Sequence, residues 1–133
     1  MKTIALIAHD GRKMDLAQWV NYNKKTLAKY KLVGTSTTAG QIKNLTGLEV
    51  EGKGSGPMGG DIRISNMVLD KKVDLVIFLI DLMSAHPHQV DIDALIRTCV
   101  LNHVALALNR RTADLVLMGF EEEEQIGKVL ADY

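Results

Sequence analysis

Apolar residues follow two alternating patterns along this chain. Five short continuous runs read as strands: "TIALIA" (3–8), "YKLVGT" (30–35), the weaker "LEVEG" (48–52), "VDLVIFLID" (73–81) and "VALAL" (104–108). Their lengths, and the charged or turn-forming residues that bound them, suit strands better than helices. Between them, apolar positions recur every three or four residues. Leu16, Trp19, Val20, Leu27 and Tyr30 mark one face of a helix over 13–30, with Lys24, Lys25 and Lys29 largely on the other side. "TTAGQIKNLTG" (37–47) predicts a short helix stopped at Gly47. Ile62, Ile64, Met67, Val68 and Leu69 predict another over 59–70, and Ile92, Leu95, Ile96 and Cys99 a further one over 91–102. The last segment also reads as helical.

Strands that are apolar on both faces, each followed by a helix, imply a mainly parallel sheet covered on both sides. The expected fold is α/β: a doubly wound, three-layer α/β/α arrangement around a sheet of roughly five strands. At 133 residues the chain is the size of one domain, spanning 1–133. In such sheets ligands bind outside the carboxyl ends of the strands, where the strand order reverses. The polar residues fall there. The first strand ends at His9 and Asp10, with Lys13 close behind. The second ends at Thr35, Ser36, Thr37 and Thr38, the third at a glycine-rich loop, the fourth at Asp81 with His86 and His88, and the fifth at Asn109.

Composition narrows the field. Sixteen Lys and Arg balance sixteen Asp and Glu, so there is no net field to draw nucleic acid or an anionic membrane. An anion must therefore be bound locally. A single cysteine, Cys99, excludes an internal disulfide and a cysteine-based zinc cage, and a reducing, cytoplasmic setting fits best. No apolar run approaches the roughly 18 to 20 residues of a membrane span.

The glycine-rich loop "GKGSGPMGGD" (52–61) holds a literal G-x-G-x-x-G at 54–59. A dinucleotide fingerprint belongs on the first strand–helix turn, however, and this one follows the third strand. Asp61 would also put an anion where a pyrophosphate needs helix N–H groups. The Walker A pattern fails because Gly60-Asp61 stands in place of Lys-Ser/Thr. The loop reads better as a close approach to an anion, with backbone N–H groups, the Ser55 hydroxyl and room at Gly56. Asp61 is then a carboxylate held near bound substrate, or simply the N-cap of the next helix. "TSTT" at 35–38 joins a strand end to a helix start, which suits a phosphate monoester or only an N-cap. His86, His88 and Asp91 in "HPHQVD" have the spacing of metal ligands. An Asp91 that fixes the His88 tautomer is the cheaper reading, and no metal is expected. Glu121 to Glu124 read as a solvated helix start.

Taken together, "AHD…K", "GTSTTAG", "SGPMGGD" and "PHQVD", in this order and spacing, closely resemble methylglyoxal synthase over almost the whole chain, from about Ile4 to Tyr133. The resemblance implies a lyase that converts dihydroxyacetone phosphate into methylglyoxal and inorganic phosphate, with no cofactor and no metal. It implies Asp61 as general base, and a phosphate held by Lys13, Thr35, Thr37, Thr38, Ser55 and Gly56. His9 and His88 would meet the carbonyl and hydroxyl end of the substrate, Asp91 would support His88, and Asp10 and Asp81 would shape the site. Ser36 stands where glycine is common in the family, and its N–H is expected to serve the phosphate. The resemblance further implies a homohexamer inhibited by phosphate. Because the sequence ends at Tyr133, the tail arginine of longer relatives is not expected to contribute. The competing class is a non-catalytic domain of the same fold that senses a phosphorylated ligand. Such a domain needs the anion loops but not Asp61, His88 and Asp91 together.

Overall fold

A computed structural model describes residues 1–126 apart from Pro87, with side chains as far as Glu123. The turn expected at Pro87 and the final residues of the last helical segment lie outside the described residues.

The sheet contains β1 (Thr3–Ala8), β2 (Lys31–Gly34), β3 (Glu51–Gly52), β4 (Leu75–Leu79) and β5 (Ala105–Ala107). Its order is β3-β2-β1-β4-β5, and every pairing is parallel. β1 lies between β2 and β4, so Ile4 faces Leu32 on one side and Leu75 on the other. Every residue of β1 and β4 is buried, as their unbroken apolar runs require. β3 shrinks to two exposed residues at the sheet edge.

The helices are α1 (Lys13–Tyr22), α2 (Lys24–Leu27), α3 (Ser36–Thr46), α4 (Gly60–Leu69), α5 (Gln89–Leu101) and α6 (Arg110–Ile126). Alternate residues of the central strands separate two cores. Ile4, Leu6 and Ala8 pack with Leu16, Trp19 and Val20 of α1, Ile42 of α3, and Ala113, Leu117 and Phe120 of α6. Ala5 and Ile7 pack on the opposite face with Ile64 and Val68 of α4 and Ile92, Leu95 and Cys99 of α5. This is the expected three-layer α/β/α fold. Winding runs outward from β1 to β3, then restarts at β4 and runs the other way. Right-handed crossovers in opposite directions put their helices on opposite faces. The order therefore reverses between β1 and β4, where a crevice opens at the strands' carboxyl ends.

Two local expectations need correction. The helix over 13–30 is interrupted at Asn23, whose side-chain amide donates to the Trp19 carbonyl, 2.9 Å away. The Asn23 N–H keeps the same acceptor at 3.0 Å, but the residue leaves helical geometry at φ −101° and ψ 19°, so the chain turns there and restarts as α2. The acidic run is not a helix start. α6 begins at Arg110, where the Asn109 side chain accepts the Thr112 N–H, and Glu121 lies late in the helix. There it pairs with Lys29, 2.8 Å away, and with the Tyr30 hydroxyl. α3 stops as expected at Gly47, which adopts φ 78° and donates its N–H to the Lys43 carbonyl.

Candidate active site

The crevice between β1 and β4 is a cleft of about 390 Å³. Four segments furnish it. The end of β1 supplies His9 and Asp10, and the first residue of α1 supplies Lys13. The β2–α3 junction supplies Thr35 and Thr37. The glycine loop supplies Ser55, Gly56 and, from the first turn of α4, Asp61. The segment after β4 supplies His86 and His88. Residues far apart in sequence meet because every strand points the same way.

Asp61 lies deepest, only 1% exposed. It does not cap α4: the N-cap is Gly59, and no side chain caps that helix. Its Oδ2 lies 3.2 Å from His88 Nε2, yet the angle is too poor for a hydrogen bond, so the oxygen is buried without a hydrogen-bond partner. Burial pushes the Asp61 carboxyl above its ordinary range. The nearby His88 pulls the other way, and the Asp91 charge adds to the rise. A buried carboxylate oxygen with no donor keeps its lone pair for a substrate proton.

His9 is buried beside it, with Phe78 edge-on at 5.1 Å between ring centroids. Its Nδ1 accepts the Asp81 N–H at 2.8 Å. A nitrogen that accepts carries no proton, so the neutral ring is protonated at Nε2, an atom buried without a partner. Burial first, then His86 and His88, push the His9 pKa down to about 4, with Asp81 and Asp10 opposing. The sign of the stability effect follows. Between about 4 and the ordinary value of 6.5, the unfolded chain binds a proton that folded His9 refuses. This group therefore lowers stability as pH falls through that window. Asp61 acts oppositely: its raised pKa costs stability at neutral pH, and acidification relieves the cost. His9→Asn keeps an acceptor for the Asp81 N–H but cannot titrate. Urea unfolding at about pH 7 and about pH 5 is expected to show a smaller acid loss in that variant than in the unmodified protein.

One wall of the cleft is formed by two loops stapled together. The Ser36 N–H donates to the Gly54 carbonyl at 3.1 Å, and the Ser36 hydroxyl accepts the Gly54 N–H at 2.9 Å. Both polar groups of Ser36 are thus engaged, and Ser36 does not line the cleft. Its expected phosphate contact is replaced by loop bracing. Thr38 is likewise turned inward, 2% exposed and hydrogen-bonded to the Thr35 hydroxyl at 3.2 Å. Thr35, Thr37, Ser55 and Gly56 remain on the cleft wall. Lys13 Nζ pairs with Asp10 Oδ1 at 2.7 Å, its side chain 16% exposed against 95% for Asp10. The hydrogen bond and charge of Lys13 hold the Asp10 carboxyl below its usual range. An exposed carboxylate is a weak hold, easily exchanged for a phosphate.

The same architecture recurs in proteins of known name. The family model described as the MGS-like domain matches residues 15–108. The methylglyoxal synthase of Clostridium beijerinckii is 45% identical over 117 residues, which cover 88% of this chain and 98% of its own. That of Clostridium acetobutylicum is 42% identical over 132 residues, covering 99% and 91%. The crystal structure of methylglyoxal synthase from Elizabethkingia anophelis NUHP1 superimposes with a TM-score of 0.83 at 43% identity, covering 87% of this chain and 76% of that one. The chain belongs to the methylglyoxal synthase family.

Against the residue set that the methylglyoxal synthase resemblance implied, the cleft gathers His9, Asp10, Lys13, Thr35, Thr37, Ser55, Gly56, Asp61 and His88. Asp91 departs from it. α5 starts at Gln89, so Asp91 sits in its first turn, and His88 Nδ1 is buried with no hydrogen-bond partner. The His88 tautomer is therefore not fixed by Asp91, and the histidine's near neighbour is Asp61. The Asp81 carboxylate turns away to accept the Met83 N–H and the Ser84 hydroxyl, both at 2.9 Å, while its backbone serves the site. His86 and His88 do not converge as metal ligands. Their rings lie 6.0 Å apart at a steep angle, and among the described residues no group of three or more His, Cys, Asp and Glu could hold a metal ion. His86, which the sequence placed after the fourth strand and at the spacing of a metal ligand, is stacked on His9 with ring centroids 3.7 Å apart. No spacing in the sequence signalled that stack.

Proposed function

We propose that this protein converts dihydroxyacetone phosphate into methylglyoxal and inorganic phosphate, with Asp61 as the general base. The observation that carries this reading is the buried, unpartnered Asp61 Oδ2 in a cleft that is also lined by Lys13, Thr35, Thr37, Ser55 and Gly56. A domain that only senses a phosphorylated ligand has no use for such a carboxylate, which costs stability.

The substrate phosphate is held by Lys13, Thr35, Thr37, Ser55 and Gly56, and Lys13 leaves Asp10 to meet it. Asp61 takes a proton from the hydroxymethyl carbon, and the electron pair moves into the ene-diolate, with charge growing on the former carbonyl oxygen. His9, protonated at Nε2, donates to that oxygen, and His88 borders both base and substrate. The terminal hydroxyl then passes its proton to the departing phosphate, and its oxygen closes to an aldehyde C=O. The carbon–carbon double bond shifts to the phosphate-bearing carbon, and that C–O bond breaks. A proton returned to the CH2 of the enol left behind gives methylglyoxal. Expulsion requires the C–O bond to stand out of the ene-diolate plane. The grip on the phosphate therefore selects elimination over isomerisation.

The test is direct. Purified protein incubated with dihydroxyacetone phosphate and no added cofactor is expected to release phosphate and methylglyoxal in equal amounts. Ligand binding without release would overturn the reading. Lys13→Ala is expected to raise KM, and to weaken binding of inorganic phosphate, by about 10- to 100-fold, because it removes one charged hydrogen bond. Steady-state kinetics would show a smaller change in kcat.

Residues 1–133 are taken to work as one cytoplasmic domain that assembles as a homohexamer and is inhibited by its product phosphate. Exposed Met58, Leu82, Met83 and Val90 support burial against further copies. Light scattering is expected to give six times the 14.6 kDa chain mass. Among the described residues no helix is long and apolar enough to cross a membrane.

A further inference from the structure

Two histidines grip the same residue from different sides. His9 Nδ1 accepts the Asp81 N–H at 2.8 Å, while His86 Nε2 lies 3.1 Å from the Asp81 carbonyl oxygen. A carbonyl only accepts, so His86 Nε2 carries the proton there. The two rings stack at 3.7 Å between centroids with 29° between their planes. We propose that His86 is a positioning residue for the reaction, holding the His9 ring in the plane from which its Nε2–H meets the substrate oxygen.

One hydrogen bond at Nδ1 fixes a ring's tautomer but leaves it free to rock about that bond. A flat partner lying on its face removes this freedom. Phe78 closes His9 from another side with its ring edge, so the imidazole is confined between two aromatic groups and one peptide. Donors aimed in advance at a developing oxyanion are worth most when they need not reorganise. The same stack excludes water from His9, keeping the ring neutral so that Nε2 donates without adding charge beside Asp61. Among the described residues the charged and titratable groups around His9 are Asp10 after β1, Lys13 of α1, Asp61 of α4, Asp81 after β4, His86, His88 before α5, and Asp93 of α5. Only His86 lies on its face.

The inference rests on the reaction proposed above, but the two fail separately. Absence of turnover in the unmodified protein overturns the reaction, whereas the state of the His9 ring is read by 15N NMR whether or not the protein turns over. In labelled unmodified protein His9 is expected as a single Nε2–H tautomer with a titration midpoint near about 4. His86→Ala is expected to keep that tautomer, because the Asp81 N–H remains, but to broaden the ring signals and raise the midpoint toward the ordinary histidine value. It should lower kcat about tenfold with KM within about twofold. His86→Phe, which keeps the stacking face, is expected to recover most of kcat, the sharp ring signals and the low midpoint. Unchanged His9 signals and kcat in His86→Ala would overturn the proposal, as would a loss confined to KM. Should the alanine variant fail to fold, His86→Phe decides: a low midpoint with kcat within about threefold supports the proposal, and a raised midpoint or a larger loss of kcat overturns it.

Discussion

Asp61→Asn is expected to lower turnover by about 10²- to 10⁴-fold, the range of a general base, while inorganic phosphate still binds within about threefold of the unmodified protein. The separation is spatial. The groups proposed to hold phosphate come from the β2–α3 junction, Lys13 and the Ser55–Gly56 loop, whereas Asp61 is buried, 1% exposed, against His88. The substitution is isosteric, so the loops need not move. It should also make the protein more stable at neutral pH. The unpartnered Oδ2 of a buried carboxylate is an energetic burden in the folded state, and its raised pKa reports the same burden. An amide at that position buries no charge, so the desolvation cost and the repulsion from Asp91 are removed. Relief of a buried uncompensated charge is worth at least about 1–3 kcal/mol, or a melting temperature higher by several degrees. Calorimetric phosphate titration, kinetics and a melt at neutral pH check the three parts. An active variant, or an inactive one that has become less stable, would overturn the assignment of Asp61 as a strained base.

How much of this was legible in the sequence depended on whether a property is local. The run at 73–81 announced a strand buried on both faces because burial on both faces forbids polar residues, and β4 is buried throughout. The meeting of His9, Thr35, Ser55 and His88 followed from topology: a parallel sheet sends every strand's carboxyl end to one edge. Partners were not legible. Ser36 carries the same hydroxyl as Ser55, but its N–H and its hydroxyl are engaged by Gly54, eighteen residues on. Nothing in "TSTT" records that contact. Asp91 lies three residues from His88, a spacing that allows a bond without requiring one. The helix begins two residues earlier than apolar periodicity indicated, and the carboxylate goes with its first turn. The break at Asn23 and the stack of His86 on His9 have the same origin, since both depend on where one side-chain atom points. Periodicity reports faces and does not report rotamers.

The second large effect concerns Gly56, where the space around a missing side chain sets the requirement. A Cβ built there would lie 2.8 Å from His88 Nε2 and 3.3 Å from Asp61 Oδ2. The first distance is one that real Cβ atoms essentially never show. The second is tight, and Asp61 is held inside α4. The His88 ring is the far end of a side chain, and its Nδ1 has no hydrogen bond to anchor it. The ring is therefore what yields, and the fold does not. Gly56→Ala is expected to leave thermal stability nearly unchanged yet lower kcat about 100-fold, the penalty for a reacting group displaced by about an ångström. A comparable loss from bulk alone, with no involvement of His88, is the rival explanation, and a double-mutant cycle separates them. In a His88→Ala background there is no ring to displace, so Gly56→Ala should lower the remaining activity by less than about threefold. Full additivity would show instead that the alanine acts through the phosphate loop. In that case the glycine would serve the anion, and the spacing between base and histidine would be set elsewhere.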